Sequence, residues 1–198
     1  MSDNGILQGK DLEVMFSRIK PKTTRLLDPI TRVLAKLGIR PNHLTVAGFF
    51  VGLTSALLIS EGYARIGAMV ILFSGLFDAL DGALARNTGN VTAFGGYLDS
   101  VLDRYVDIAV FTSLGFYGVD WFLVILALSG ALMVSYTRAR AENLIERCDV
   151  GIAERGERLL IIVLGLLTGF VWQAVALVAL LAHLTALQRV LHTRRTLG

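Results

Sequence analysis

The stretch Asp78-Ala79-Leu80-Asp81-Gly82-Ala83-Leu84-Ala85-Arg86, followed after eight residues by Gly95 and then by Asp99 and Asp103, lies inside two strongly apolar segments of the chain. An ionisable group placed in a bilayer costs about 2.5–3.5 kcal/mol on insertion scales, so acids in such segments read as functional by default. With Asp107, the two segments carry five aspartates. Asp78 and Asp81 are three apart and Asp99 and Asp103 four apart, so each pair projects from one helical face. At about 1.5 Å per residue, Asp81 and Asp78 lie roughly 7 and 12 Å inside the end near Arg86, and Asp99 and Asp103 roughly 7 and 13 Å inside the end near Phe94. The pairs match in depth. The short link Asn87 to Ala93 predicts that the two helices are antiparallel neighbours whose four carboxylates converge on one cavity open to the cytoplasm.

The rest of the chain supplies the membrane. Of 198 residues, 54% are hydrophobic and 18% charged, whereas soluble domains hold roughly 45–50% apolar and about 25% charged residues. A soluble globular domain is excluded. The reading is an all-α, polytopic membrane protein with six transmembrane helices, at about 43–62, 64–86, 94–118, 121–138, 157–170 and 172–190. Residues 1–42 are expected to form a cytoplasmic N-terminal segment and residues 43–198 a six-helix transmembrane domain that carries the acids. The first 40 residues are polar and basic and show no cleavable signal peptide. Pro21, Pro29 and Pro41 all precede the first span, so the later helices are expected to run unbroken.

Orientation follows from the basic residues, which are retained on the cytoplasmic side. Seventeen of the 19 lysines and arginines fall on one side, among them Lys10, Arg18, Lys20 and Lys22 before the first span; only Arg65 faces the other side, and Arg104 lies within span three. Both termini and the acidic cavity are therefore expected to be cytoplasmic, in a multi-pass protein of the cell membrane. A net charge of +3 distributed this way suits anionic lipid head groups rather than nucleic acid. Ahead of the first span, Leu26, Leu27, Ile30, Val33, Leu34 and Leu37 recur at helical spacing opposite Arg25, Asp28, Arg32 and Lys36, the pattern of an amphipathic interfacial helix. It serves as a membrane anchor, or, on a sharper reading, lines the entrance to the site. His43, His183 and His192 share no metal-ligand spacing, and Cys148 is the single cysteine, so neither a histidine nor a cysteine metal centre is expected.

Four converging carboxylates repel one another unless cations neutralise them, and hard divalent ions such as Mg²⁺ or Mn²⁺ take oxygen ligands of this kind together with phosphate oxygens. Two such ions suit a pyrophosphate substrate. Gly82, Ala83, Ala85, Gly95 and Gly96 flank the acids and permit close helix approach. A cation or proton transporter also places acids within the membrane, and chemistry alone leaves that alternative open. Asp107 is expected to pair with Arg104, three residues earlier.

The linear pattern separates the two readings. It matches eight fixed residues across 26 positions and resembles, with no departure, the signature of the CDP-alcohol phosphotransferases. Pro41-Asn42-His43-Leu44-Thr45 also looks like that family's entry to its first membrane helix. The resemblance implies a six-helix membrane enzyme, usually a homodimer, that transfers a phosphatidyl-type group from a CDP-activated lipid to a hydroxyl and releases CMP. It further implies that Asp78, Asp81, Asp99 and Asp103 bind two divalent ions, with Asp103 as general base. Asn42, Thr45, Gly82, Ala85 and Arg86 would hold the cytidine nucleotide.

The link between spans four and five bears on the acceptor. Ser135-Tyr136-Thr137-Arg138-Ala139-Arg140-Ala141-Glu142 and Glu154-Arg155-Gly156-Glu157-Arg158 resemble the corresponding stretches of the family members, bacterial and archaeal, that use inositol 1-phosphate. An anionic acceptor suits arginine forks, which bind phosphate bidentately. Arg138 and Arg155, with Arg189 or Arg194, are the expected phosphate ligands. Glycerol 3-phosphate is the alternative acceptor. A neutral acceptor such as serine fits less well because it offers those arginines no phosphate.

Overall fold

The structure, a computed structural model, describes the chain from residue 23 onward, with side chains from residue 27; the expected basic residues Lys10, Arg18, Lys20 and Lys22 lie outside the described residues. Seven helices follow in order: α1 (Thr23–Lys36), α2 (Pro41–Ser60), α3 (Ala64–Thr88), α4 (Ala93–Tyr117), α5 (Trp121–Ala141), α6 (Arg155–Thr168) and α7 (Val171–Leu197). The described residues contain no strand. The ends carry the expected chemistry. Pro41 opens α2, where its missing N–H costs nothing. The hydroxyl of Thr92 accepts the Gly95 amide at 3.0 Å to cap α4, and Asp120 accepts the Leu123 amide at 3.1 Å to cap α5. Gly89 ends α3 in the left-handed conformation.

Helices α2 to α7 pack in a closed ring, in the order α2, α4, α5, α7, α6, α3 and back to α2. Their inward faces form one core that includes Ile59, Ile71, Val110, Phe111, Ile162 and Val175. The ring corrects one expectation. The acid-bearing helices α3 and α4, joined by a short link, are not packed against each other; α2 stands between them and packs on both. Small residues let α2 wedge there. A Cβ on Gly48 would lie 2.9 Å from the Phe77 Cβ, and one on Gly52 would lie 2.8 Å from both Val106 methyls. Ser74 of α3 also donates to the Gly48 carbonyl at 2.9 Å.

Four helices, α2, α3, α5 and α7, are long and apolar enough to cross a bilayer. The other two explain why six is not reached on that criterion. Helix α4 has the length but carries Asp99, Asp103, Arg104 and Asp107. Helix α6 has 14 residues, about 21 Å against a hydrocarbon core of about 30 Å. It starts deep because Arg155, its first residue, reaches Asp78, ten residues inside the end of α3. The segment 142–154 fills the missing turns. It is pinned by Arg189, which donates to the carbonyl of Val150 at 2.9 Å, and by Thr185, which accepts the Ala153 amide at 3.1 Å. Gly151 permits this with φ of 146° and no side chain against Thr185.

Helix α1 lies against the end of α3. Leu27 and Leu34 pack on Leu44, Leu80 and Leu84, while Asn87 donates to Asp28 at 2.9 Å and to Thr31 at 2.8 Å. Ile30, Val33 and Leu37 stay exposed, an apolar edge suited to the membrane interface.

Candidate active site

Asp78 on α3 and Asp99 and Asp103 on α4 each offer an oxygen within 4.8 Å of the other two, across the gap that α2 props open. The expected convergence of the carboxylates is therefore seen for three of the four acids. Asp81, one turn nearer the end of α3, is buried and turned toward α2, where the Thr45 hydroxyl donates to its Oδ2 at 2.6 Å. Three carboxylates this close repel strongly, and a hard divalent cation is the ligand their chemistry fits.

One guanidinium joins them. Arg155 Nη1 lies 2.6 Å from Asp78 Oδ2 and 2.8 Å from Asp103 Oδ1. Its Nε donates to Asp107 Oδ1 at 3.3 Å. Asp107 does not pair with Arg104. The i, i+3 spacing suggested that contact, but Asp107 faces Arg155 and Arg158 of α6, whereas Arg104 donates to the Ser135 hydroxyl on α5 and to the Ser100 carbonyl of its own helix, both at 2.6 Å.

Beside the acids opens a cavity of about 800 Å³ whose lining includes Asp103, Arg104, Arg138, Arg155, Arg158 and Arg189. Three of the four arginines expected to meet the acceptor thus share one chamber with the expected general base. Arg194 does not line it; it lies at the exposed end of α7. Within the chamber the arginines are already engaged. Arg138 reaches Glu142, Glu154 and Asp149 at 2.9, 3.3 and 3.3 Å. Buried Arg189 donates to the Val134 carbonyl at 2.6 Å and to Glu154 at 3.1 Å. Glu154 therefore bridges Arg138 and Arg189.

None of the expected nucleotide residues lines that cavity. A Cβ on Gly82 would meet Arg86 Nη1 at 3.2 Å, and one on Gly95 would meet Asn42 Oδ1 at 3.1 Å, so both motif glycines leave room for polar side chains. Ala85 sits half-buried in the same turn of α3. Thr45 spends its hydroxyl on Asp81. Residue spacing did not single out Arg104 or Arg158 as cavity residues. The available signal was an arginine within an apolar span, which demands a partner at depth.

Acids facing an arginine-lined chamber inside a bundle of apolar helices suit the binding of metal ions and phosphate groups. The chain belongs to the CDP-alcohol phosphatidyltransferase family, whose model matches residues 39–193. It is 41% identical over 185 residues to the archaetidylinositol phosphate synthase of Pyrococcus horikoshii, covering 92% of this chain and 98% of the relative. The fold is similar to that of Mycobacterium tuberculosis phosphatidylinositol phosphate synthase with CDP-DAG bound, with a TM-score of 0.77 and 34% identity over 85% of this chain and 93% of that one. The same mycobacterial enzyme in complex with manganese and citrate gives a TM-score of 0.74 at 38% identity, covering 83% and 87% of the two chains. The protein is a transferase of phospholipid synthesis, and the transporter alternative is set aside.

Proposed function

We propose that the protein transfers a phosphatidyl- or archaetidyl-type group from a CDP-activated lipid to a hydroxyl of inositol 1-phosphate and releases CMP. One observation carries this reading: Asp103 and Arg155 belong at once to the carboxylate cluster and to the arginine-lined cavity. A hydroxyl entering from the cavity meets a base, and a phosphate on the same molecule meets cations. The names of the relatives support the choice of inositol phosphate.

Asp78, Asp81, Asp99 and Asp103 would hold two divalent ions, Mg²⁺ or Mn²⁺. When bound, such ions supply positive charge to a pyrophosphate and ease departure of CMP. Asp103 accepts the proton of the acceptor hydroxyl as that oxygen attacks the lipid-side phosphorus, the bond to the CMP oxygen breaking in line. Asn42, Gly82, Ala85 and Arg86 receive the cytidine nucleotide, with Thr45 orienting Asp81. Arg138, Arg155 and Arg189 orient the acceptor by its phosphate, and most of the acceleration comes from such positioning. Arg194 lies too far along α7 to share in this. Six helices span the bilayer with both termini and the site on the cytoplasmic side, the acids of α4 and Arg155 of α6 facing one another rather than lipid. Exposed apolar faces on the ring suit lipid and a homodimer.

The test is CMP release by purified protein given CDP-lipid, divalent metal and one acceptor at a time. Turnover with inositol 1-phosphate and none with free inositol is expected. Turnover with glycerol 3-phosphate alone overturns the acceptor assignment and leaves the chemistry standing.

A further inference from the structure

Asp107 has no role in the chemistry above and lies outside the motif. It sits one turn beyond Asp103 on α4 and is 1% exposed. Its oxygens face two arginines from the first turn of α6. Oδ1 accepts from Arg155 Nε at 3.3 Å, while Oδ2 lies 3.6 Å from Arg158 Nη2 and accepts no hydrogen bond among the described residues. Arg158 is 2% exposed and spends Nη1 on the Ala153 carbonyl at 3.0 Å. A buried carboxylate with one oxygen short of a hydrogen bond is costly, and buried ion pairs add little net stability over apolar side chains of similar volume. Folding alone gives a poor account of this pair.

The orientation of Arg155 gives a better one. A guanidinium is planar and rigid, so two fixed nitrogens determine where the third points. Nε is held by Asp107, and Nη1 is held by Asp78 and Asp103. Nη2 has no partner among the described residues, and Arg155 lines the cavity. We infer that Asp107, itself steadied by Arg158, is a positioning residue that clamps Arg155 Nε so that the Nη2 edge faces the phosphate of an acceptor in the cavity. Without that clamp the fork is free to turn both terminal nitrogens onto Asp78 and Asp103, away from the acceptor. The inference rests on the reading of a phosphorylated acceptor.

The test measures CMP release by the full-length protein in detergent, varying inositol 1-phosphate and CDP-DAG separately, for wild type, Asp107→Asn and Arg158→Lys. Asp107→Asn keeps the shape and removes the charge. Its KM for inositol 1-phosphate is expected to rise about tenfold, the scale of one lost charge-assisted hydrogen bond, with the KM for CDP-DAG within about twofold of wild type. Arg158→Lys, which keeps a cation opposite Asp107, shifts the acceptor KM in the same direction by a smaller factor. A purely structural role reduces the amount of folded enzyme, which lowers the maximal rate and leaves both KM values alone; that result in both variants overturns the inference. A parallel rise in both KM values does so too. If wild type itself ignores inositol 1-phosphate, the acceptor reading fails separately, and the same comparison with whichever phosphorylated acceptor turns over still decides the role of Asp107.

Discussion

Thr45 Oγ1 lies 2.6 Å from Asp81 Oδ2, tying the first turn of α2 to the acid motif of α3 across 36 residues. Both residues are buried, so the hydroxyl is the group that sets the direction of this carboxylate. Thr45→Val keeps the shape and leaves Asp81 without its donor. Loss of a hydrogen bond to a charged group costs about 1.5–3 kcal/mol, so the Mn²⁺ concentration giving half-maximal activity is expected to rise about tenfold or more. Thr45→Ser restores most of it. An unchanged metal requirement in the valine variant would remove Asp81 from the metal site.

Helix α2 holds the two acid-bearing helices apart through its glycines. A methyl group at Gly52 meets both methyls of Val106 at 2.8 Å. Gly52→Ala is therefore expected to destabilise the protein by about 1–3 kcal/mol, the usual cost of overpacking. The thermal midpoint in detergent reports it. Gly52→Ala with Val106→Ala, which removes the opposing methyls, recovers most of the loss; additivity of the two changes would contradict the wedge.

Helix α1 is fastened to α3 by Asn87, which donates to Asp28 and to Thr31. Asn87→Ala removes both bonds while the packing of Leu27 and Leu34 on Leu84 remains. Amide exchange in residues 27–37 is expected to quicken several-fold, with no change in the middle of α3. Equal exchange in wild type and variant would mean that apolar packing alone holds the helix.

Glu154 occupies two of the three arginines proposed for the acceptor phosphate, at 3.3 Å from Arg138 and 3.1 Å from Arg189. An entering phosphate competes with it. Glu154→Gln is expected to lower the KM for a phosphorylated acceptor by a few-fold, because a neutral amide holds the guanidinium groups less strongly. A raised KM would mean instead that Glu154 receives acceptor hydroxyls.

The motif acids were legible because charge in an apolar span is rare and helical spacing fixes which face it occupies. Depth counting matched Asp78 with Asp103 and Asp81 with Asp99, and of these four Asp78, Asp99 and Asp103 meet. Neighbourhood was not legible in the same way. A short link between α3 and α4 suggested direct packing, yet Gly48 and Gly52 on α2 admit that helix between them. Spacing also misassigned the partner of Asp107. Arg104 was near in sequence, but Arg155 and Arg158, 48 and 51 residues away, reach it because the segment 142–154 folds into the ring and starts α6 at that depth. Such long-range choices depend on which small residues admit a neighbour, a property of facing surfaces rather than of one helix.

Mn²⁺ binding to the purified protein, followed by electron paramagnetic resonance without any lipid or acceptor, tests most directly whether acids from two helices meet around metal. Wild type is expected to bind the ion, and Asp78→Asn and Asp99→Asn, one from each helix, are each expected to weaken binding at least tenfold with the fold intact. Wild-type affinity in both variants would contradict the account.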